Sequence, residues 1–119
     1  MKVMNVDDSA TMRKIVIMAL RDIGFEVIEA ENGKDGLAKL NPEIKLFIVD
    51  INMPEMNGLE FIGEIKKMPA YAKVPIIILT TEKEEELKQK GLALGANAWF
   101  IKPFDPVDFK NLVKKTVGQ

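Results

Sequence analysis

The chain has 119 residues, 47% hydrophobic and 29% charged, with 17 basic against 18 acidic side chains and a net charge of −1. That is the balance of one globular domain that buries roughly two thirds of its unfolded surface, and it argues against a general nucleic-acid or membrane-surface binder. With neither cysteine nor histidine, disulfides, thiol and imidazole catalysis and sulfur- or nitrogen-ligated metals are excluded, so any bound cation must be held by oxygen, as magnesium is.

Val3, Met4, Asn5 and Val6 read as a first strand that stops at Asp7-Asp8. Ser9 is placed to cap a helix in which Met12, Ile15, Val16, Ala19 and Ile23 recur at helical spacing, and Gly24 to end it. Residues 25–30 alternate as a second strand. After the turn Glu31-Asn32-Gly33 comes a short helix with Leu37 and Leu40 on one side, stopped by Asn41-Pro42; Gly36 inside it costs up to ~1 kcal/mol relative to alanine, so it must depend on packing. Leu46, Phe47, Ile48 and Val49 form a continuous apolar run, a strand buried on both faces, and Asp50 ends it.

Pro54 and Asn57-Gly58 mark a loop. Asn57 with Glu60 three residues on has the form of a capping box, and Phe61, Ile62, Ile65 and Met68 supply the buried stripe of the helix it starts. Pro75 opens a fourth strand, Ile76 to Leu79, that stops at Thr80-Thr81. The acidic run 82–86 suits the first turn of a helix over 83–94, whose apolar content (Leu87, Leu92, Leu94) is thin enough to make it the least rigid element. Trp99, Phe100 and Ile101 make the last strand, ending at Lys102-Pro103. Asp105 and Asp108 then open a helix whose Phe109, Leu112, Val113 and Val117 face the core. Lys110, Lys114 and Lys115 read as its solvated face, with an acidic partner as the alternative.

Strict alternation of strand and helix implies an α/β fold, a doubly wound parallel sheet with helices on both faces. The carboxyl ends of its strands share one edge, where open α/β sheets bind ligands. Asp7, Asp8, Asp50, Thr80 and Lys102 would therefore converge on one crevice. Singly each has an ordinary explanation as a cap or a strand end; together they do not. The acidic pair, Asp50 followed by Met53-Pro54-Glu55-Met56-Asn57-Gly58, Thr80 and Lys102-Pro103-Phe104 resemble the response-regulator receiver domains of two-component systems, most closely the single-domain chemotaxis type, from end to end of the chain.

The resemblance implies a flavodoxin-like three-layer sandwich with a five-stranded sheet in the order 2-1-3-4-5, residues 1–119 forming one receiver domain without an output domain. It implies Asp50 as phosphoacceptor, fed by a partner histidine kinase or small acyl phosphates. Mg²⁺ or Mn²⁺ would be held by Asp8 and Asp50, by Asp7 mainly through water, and by the backbone carbonyl of Asn52. Thr80 and Lys102 would receive the phosphoryl oxygens, Asn52 and Glu82 would flank the group and tune its lifetime, and Thr80 with Trp99 would carry the switch. Lys102-Pro103 would be a cis peptide. Without a cation, at least one of the three carboxylates should have its pKa raised.

Three residues depart from the family pattern: Asn5 in a strand position that is usually apolar, Thr81 where a smaller residue is common, and Trp99 in place of tyrosine or phenylalanine. The expected protein is a cytoplasmic, monomeric switch and not an enzyme in the usual sense. It would signal through the 83–117 face to a flagellar motor component or another signalling protein, with neither nucleic acid nor membrane as partner. A small flavin-binding module, a Mg²⁺-dependent phosphohydrolase and an unphosphorylated interaction module are the rivals. A flavin module would want hydroxyl- and glycine-rich phosphate loops where this edge is carboxylate-rich, and multiple turnover on phosphoesters would mark the hydrolase.

Overall fold

The computed structural model describes residues 1–118 and shows strands and helices alternating in strict order. β1 (Lys2–Val6), β2 (Glu26–Ala30), β3 (Ile44–Val49), β4 (Ile76–Thr80) and β5 (Ala98–Ile101) pair in parallel in the order 2-1-3-4-5. Successive strand residues point to opposite faces, so the sheet carries two cores. On one face Met4, Val6, Phe47, Val49, Ile76 and Ile78 pack under α2 (Gly33–Ala38), α3 (Gly58–Lys66) and α4 (Glu85–Ala93). On the other, Val3, Leu46, Ile48, Ile77 and Leu79 pack under α1 (Ala10–Arg21) and α5 (Pro106–Thr116).

The helix starts follow local chemistry. The Ser9 hydroxyl accepts from the Met12 N–H, the Asp105 carboxylate from Val107 and Asp108, and Asn57 with Glu60 forms the expected reciprocal capping box. Gly24, at φ 84°, turns the chain out of α1 in the left-handed region. Gly36 has a packing reason to be glycine, because a Cβ there would lie 2.8 Å from the Phe61 ring. The packing on which α2 depends is thus the ring of α3.

Three expectations are corrected. Ile15 does not face the core: it is 42% exposed, and Val16, Ala19 and Leu20 form the buried stripe of α1. The Val16-Ala19-Leu20 stripe defines the buried face, and residue 15 is rotated by about 95° from its centre. The helix expected over 83–94 begins two residues later, because Glu84 stands at the N-cap in extended conformation and residues 82–83 belong to the loop. The second strand starts at Glu26 and not at residue 25, since the Phe25 N–H is taken by the Leu20 carbonyl in the turn out of α1. The Lys102–Pro103 bond is cis, as the resemblance implies. No helix among the described residues is long and apolar enough to cross a membrane.

Candidate functional site

β1, β3 and β5 each deliver a candidate site residue immediately past their last residue, and the ladder holds that residue's backbone. The Asp7 N–H donates to the Ala30 carbonyl (3.0 Å), Asp50 to Val6 (2.9 Å) and Lys102 to Thr80 (2.8 Å). Backbones held in this way leave side-chain torsion as the main freedom, which is how a sheet edge pre-positions a site. Gly58 lets α3 start against this edge: its N–H donates to the Ile51 carbonyl at 3.0 Å, and a Cβ there would collide with the carbonyl of Asp50.

Asp7, Asp8 and Asp50 each offer a carboxylate oxygen within 4.8 Å of the others; Asp7 and Asp50 are buried and Asp8 is exposed. Lys102, also buried, donates from one Nζ to Asp7 Oδ2 (2.9 Å) and to Asp50 Oδ2 (3.0 Å). Burial pushes the Asp7 carboxyl above its ordinary value, with Asp50 adding repulsion, while the Ser9 N–H and Lys102 pull the other way. For Lys102 burial alone would lower the pKa, but the two carboxylates overrule it and hold the ammonium above the usual lysine range. The expected raised carboxyl is therefore Asp7. What the sequence left unseen is that Lys102 itself serves as the cation between two of the acids.

Thr80 ends β4 fully buried, and its Oγ1 accepts from the Glu82 N–H at 3.2 Å, so in this state it braces its own loop. The two residues expected to tune lifetime meet each other: Asn52 Nδ2 donates to Glu82 Oε1 at 2.7 Å, tying the loop after β3 to the loop after β4. The half-buried Trp99 is on the α4 side of β5, opposite Phe100, and its indole N–H donates to the Glu82 carbonyl at 3.1 Å. Glu82 thus joins Asn52, Thr80 and Trp99, a link between residues far apart in sequence that no local pattern carries.

Arg13 was missed as part of this site. Its Nη1 donates to the Asp7 carbonyl at 2.6 Å and its Nε pairs with Glu29 at 3.1 Å, which fixes the acidic turn to β2. The only sequence signal is an arginine one turn into the helix that follows the acidic pair. Asn5 finds one partner, the Ile48 carbonyl at 3.2 Å, while its Oδ1 is the one buried side-chain polar atom without a partner among the described residues.

Three acidic side chains gather at the carboxyl edge of a 2-1-3-4-5 sheet, two of them bridged by a buried lysine, and their oxygens form a set able to hold a divalent cation. A family model for the response regulator receiver domain matches residues 3–114. The chain belongs to that family. It is 39% identical to the chemotaxis protein CheY1 of Helicobacter pylori, across 99% of this chain and 98% of that protein. The crystal structure of chemotaxis protein CheY4 of Vibrio cholerae superposes with a TM-score of 0.91 at 40% identity, covering 97% of each chain. The Mn²⁺-bound response regulator Rcp1 superposes with a TM-score of 0.81 at 25% identity, covering 96% of this chain and 89% of that one.

A receiver is a phosphorylation switch, and the all-oxygen donor set of Asp7, Asp8 and Asp50 is able to coordinate a divalent metal. The raised pKa of Asp7 fits the same use, since a carboxylate whose charge is poorly solvated gains most from a cation.

Proposed function

We propose that residues 1–119 act as one receiver domain in chemotaxis-type signalling, with Asp50 as the acceptor of a phosphoryl group from a partner histidine kinase. The ionised Asp50 oxygen attacks phosphorus, the nitrogen–phosphorus bond of the donor phosphohistidine breaks with its electron pair leaving on the imidazole, and an acyl phosphate remains on Asp50. Asp8, Asp50 and the Asn52 carbonyl would hold Mg²⁺, with Asp7 acting through water; when bound, the ion neutralises charge on the transferring group. Lys102 must give up one of its two carboxylates to meet the phosphoryl oxygens. Thr80 turns its hydroxyl from the Glu82 N–H to the same group. The observation that carries this reading is the Asp7–Lys102–Asp50 bridge, which stores a cation one bond away from the acceptor oxygen.

The switch follows from the links to Glu82. Drawing Thr80 inward disturbs the loop whose carbonyl holds the Trp99 indole. The change then passes to α4, β5 and α5, the surface on which an output protein, a flagellar motor component or another signalling protein, would be bound with different affinity in the two states. The side chains of Asn52 and Glu82 are polar and hydrogen-bonded to each other, and neither is bulky, so water reaches the acyl phosphate and its lifetime is short. A large apolar residue at Asn52 should lengthen it.

Intact-mass spectrometry after incubation with acetyl phosphate and Mg²⁺ tests the central claim. One phosphoryl adduct is expected in the parent, and none in Asp50→Asn or in excess chelator. Full labelling of Asp50→Asn would overturn the assignment. In parallel, beryllofluoride with Mg²⁺ should change Trp99 emission in the parent alone, and saturating modification with unchanged emission would remove Trp99 from the switch.

A further inference from the structure

Three carboxylates share one crevice, and like charges push apart unless the backbone that carries them is fixed. Two of the three are fixed well. Asp7 and Asp50 follow strands whose neighbours hold their N–H groups, and Lys102 bridges their side chains. Asp8 is different: it is exposed and lies one residue past the bond that the Asp7 N–H makes to the Ala30 carbonyl. With the peptide unit planar, the direction in which the Asp8 side chain leaves the turn depends on how the Asp7–Asp8 peptide is oriented.

Arg13 holds that peptide. Its Nη1 donates to the Asp7 carbonyl at 2.6 Å, so the peptides on both sides of Asp7 are tied, the first through its N–H to β2 and the second through its carbonyl to α1. The guanidinium is anchored in turn, since Nε pairs with Glu29 Oε1 at 3.1 Å and the side chain is only 15% exposed. Glu29 stands beside Ala30 at the end of β2, where Lys39 Nζ donates to its own carbonyl at 2.9 Å. The last two residues of β2 therefore fix the acidic turn twice, once directly and once through Arg13. One planar guanidinium serves two acceptors from two nitrogens, which the point charge of a lysine on its flexible stem does not reproduce.

The sign of the charge separates two roles. A cation beside a cation site repels the ion, so Arg13 acting only as a charge would weaken divalent binding, and its removal would tighten it. Acting through the peptide it holds, Arg13 strengthens binding, and its removal weakens it. We propose that Arg13, anchored by Glu29, is the positioning residue of the acidic turn and sets the affinity of the crevice for a divalent cation by orienting Asp8. This rests on Asp8 and Asp50 being ligands of that cation.

The test titrates Mn²⁺ into the full chain and counts the free ion by its electron paramagnetic resonance signal, at about 150 mM salt, where exposed charges more than about 8 Å apart are largely screened. Arg13→Ala and Arg13→Lys should each raise the dissociation constant about 10- to 100-fold, the range for loss of a group that orients a metal ligand. In the metal-free chain both should also shift the Asp7 carbonyl ¹³C and Asp8 amide ¹⁵N resonances, the two atoms of the peptide that Arg13 holds. Lys110→Met removes the ion pair at the other end of α1, with Asp22, and should leave the dissociation constant within about twofold of the parent. Circular dichroism checks the fold, and Arg13→Lys, which keeps the charge and most of the stem, carries the test should Arg13→Ala lose structure. Unchanged or tighter binding in Arg13→Ala, parent affinity in Arg13→Lys, or an equal loss in Lys110→Met would overturn the proposal. A parent that binds no Mn²⁺ would overturn the metal reading and this proposal with it, whereas a parent that binds and is matched by its Arg13 variants overturns the positioning role alone.

Discussion

α3 and α4 sit on the same face of the sheet and have the same length of nine residues, yet they are held in opposite ways. α3 starts in a complete capping box and buries Phe61, Ile62 and Ile65 entirely, with the Phe61 ring edge-on to Phe47 at 5.8 Å. α4 starts at Glu84 with no side-chain cap, and its one buried residue is Gly91. The first is fastened beside Asp50; the second rests on the elements that Thr80 and Trp99 belong to. The proposed switch needs both, a fixed acceptor and an adjacent element that moves at low free-energy cost, and the two helices differ in how much apolar surface each buries.

Truncating the two helices should separate them most. Phe61→Ala is expected to cost about 3–5 kcal/mol, whereas Leu92→Ala, on the half-buried side of α4, should cost less than about 2 kcal/mol. Urea denaturation of both variants checks this, and equal losses would break the contrast. The glycines make a second pair. Gly58→Ala drives a methyl into the Asp50 backbone and should cost about 3 kcal/mol together with most phosphorylation. Gly91→Ala meets side-chain ends and not backbone, the buried Ile78 Cδ1 at 2.6 Å and the Trp99 ring at 3.2 Å, and helix propensity returns about 1 kcal/mol, so its net cost should be well below that of Gly58→Ala, at about 1 kcal/mol.

Capping gives a smaller effect of opposite sign at the two sites. Asn57→Ala should destabilise by about 1 kcal/mol, while Glu84→Ser should stabilise by about 0.5 kcal/mol and slow amide exchange in α4. If a capped α4 leaves the Trp99 response to beryllofluoride unchanged, its loose start is not part of the switch.

The smallest expected effect is electrostatic and confined to the acceptor side. The folded-state pKa of Lys102 lies above its ordinary 10.5, so its protonation favours the folded state fully below that value, and this stability is lost as pH rises through the folded pKa. Asp7 is raised above 3.8, so what its proton contributes is present below 3.8 and lost as pH rises through its own folded pKa. Metal-free denaturation midpoints should therefore fall above about pH 10.5 in the parent, and Lys102→Met should lack that alkaline limb.

By itself the sequence determined the alternation of elements, the 2-1-3-4-5 fold through its motifs, the capping box of α3 and the acids, threonine and lysine at the strand ends. These are local signals: an apolar run, a cap three residues from its partner, or a polar residue where a strand stops, each legible within one window of chain. Only the tertiary structure decided that Lys102 bridges Asp7 and Asp50, 95 and 52 residues away, and that Asn52 and Trp99 both fasten to Glu82. It also turned Ile15 outward beside Met18, since which side of an amphipathic helix meets the sheet depends on what α5 leaves uncovered. Periodicity specifies an element and its buried stripe, but a contact between elements depends on the sheet order and the crossover of the chain, and those bring together residues that no local window contains.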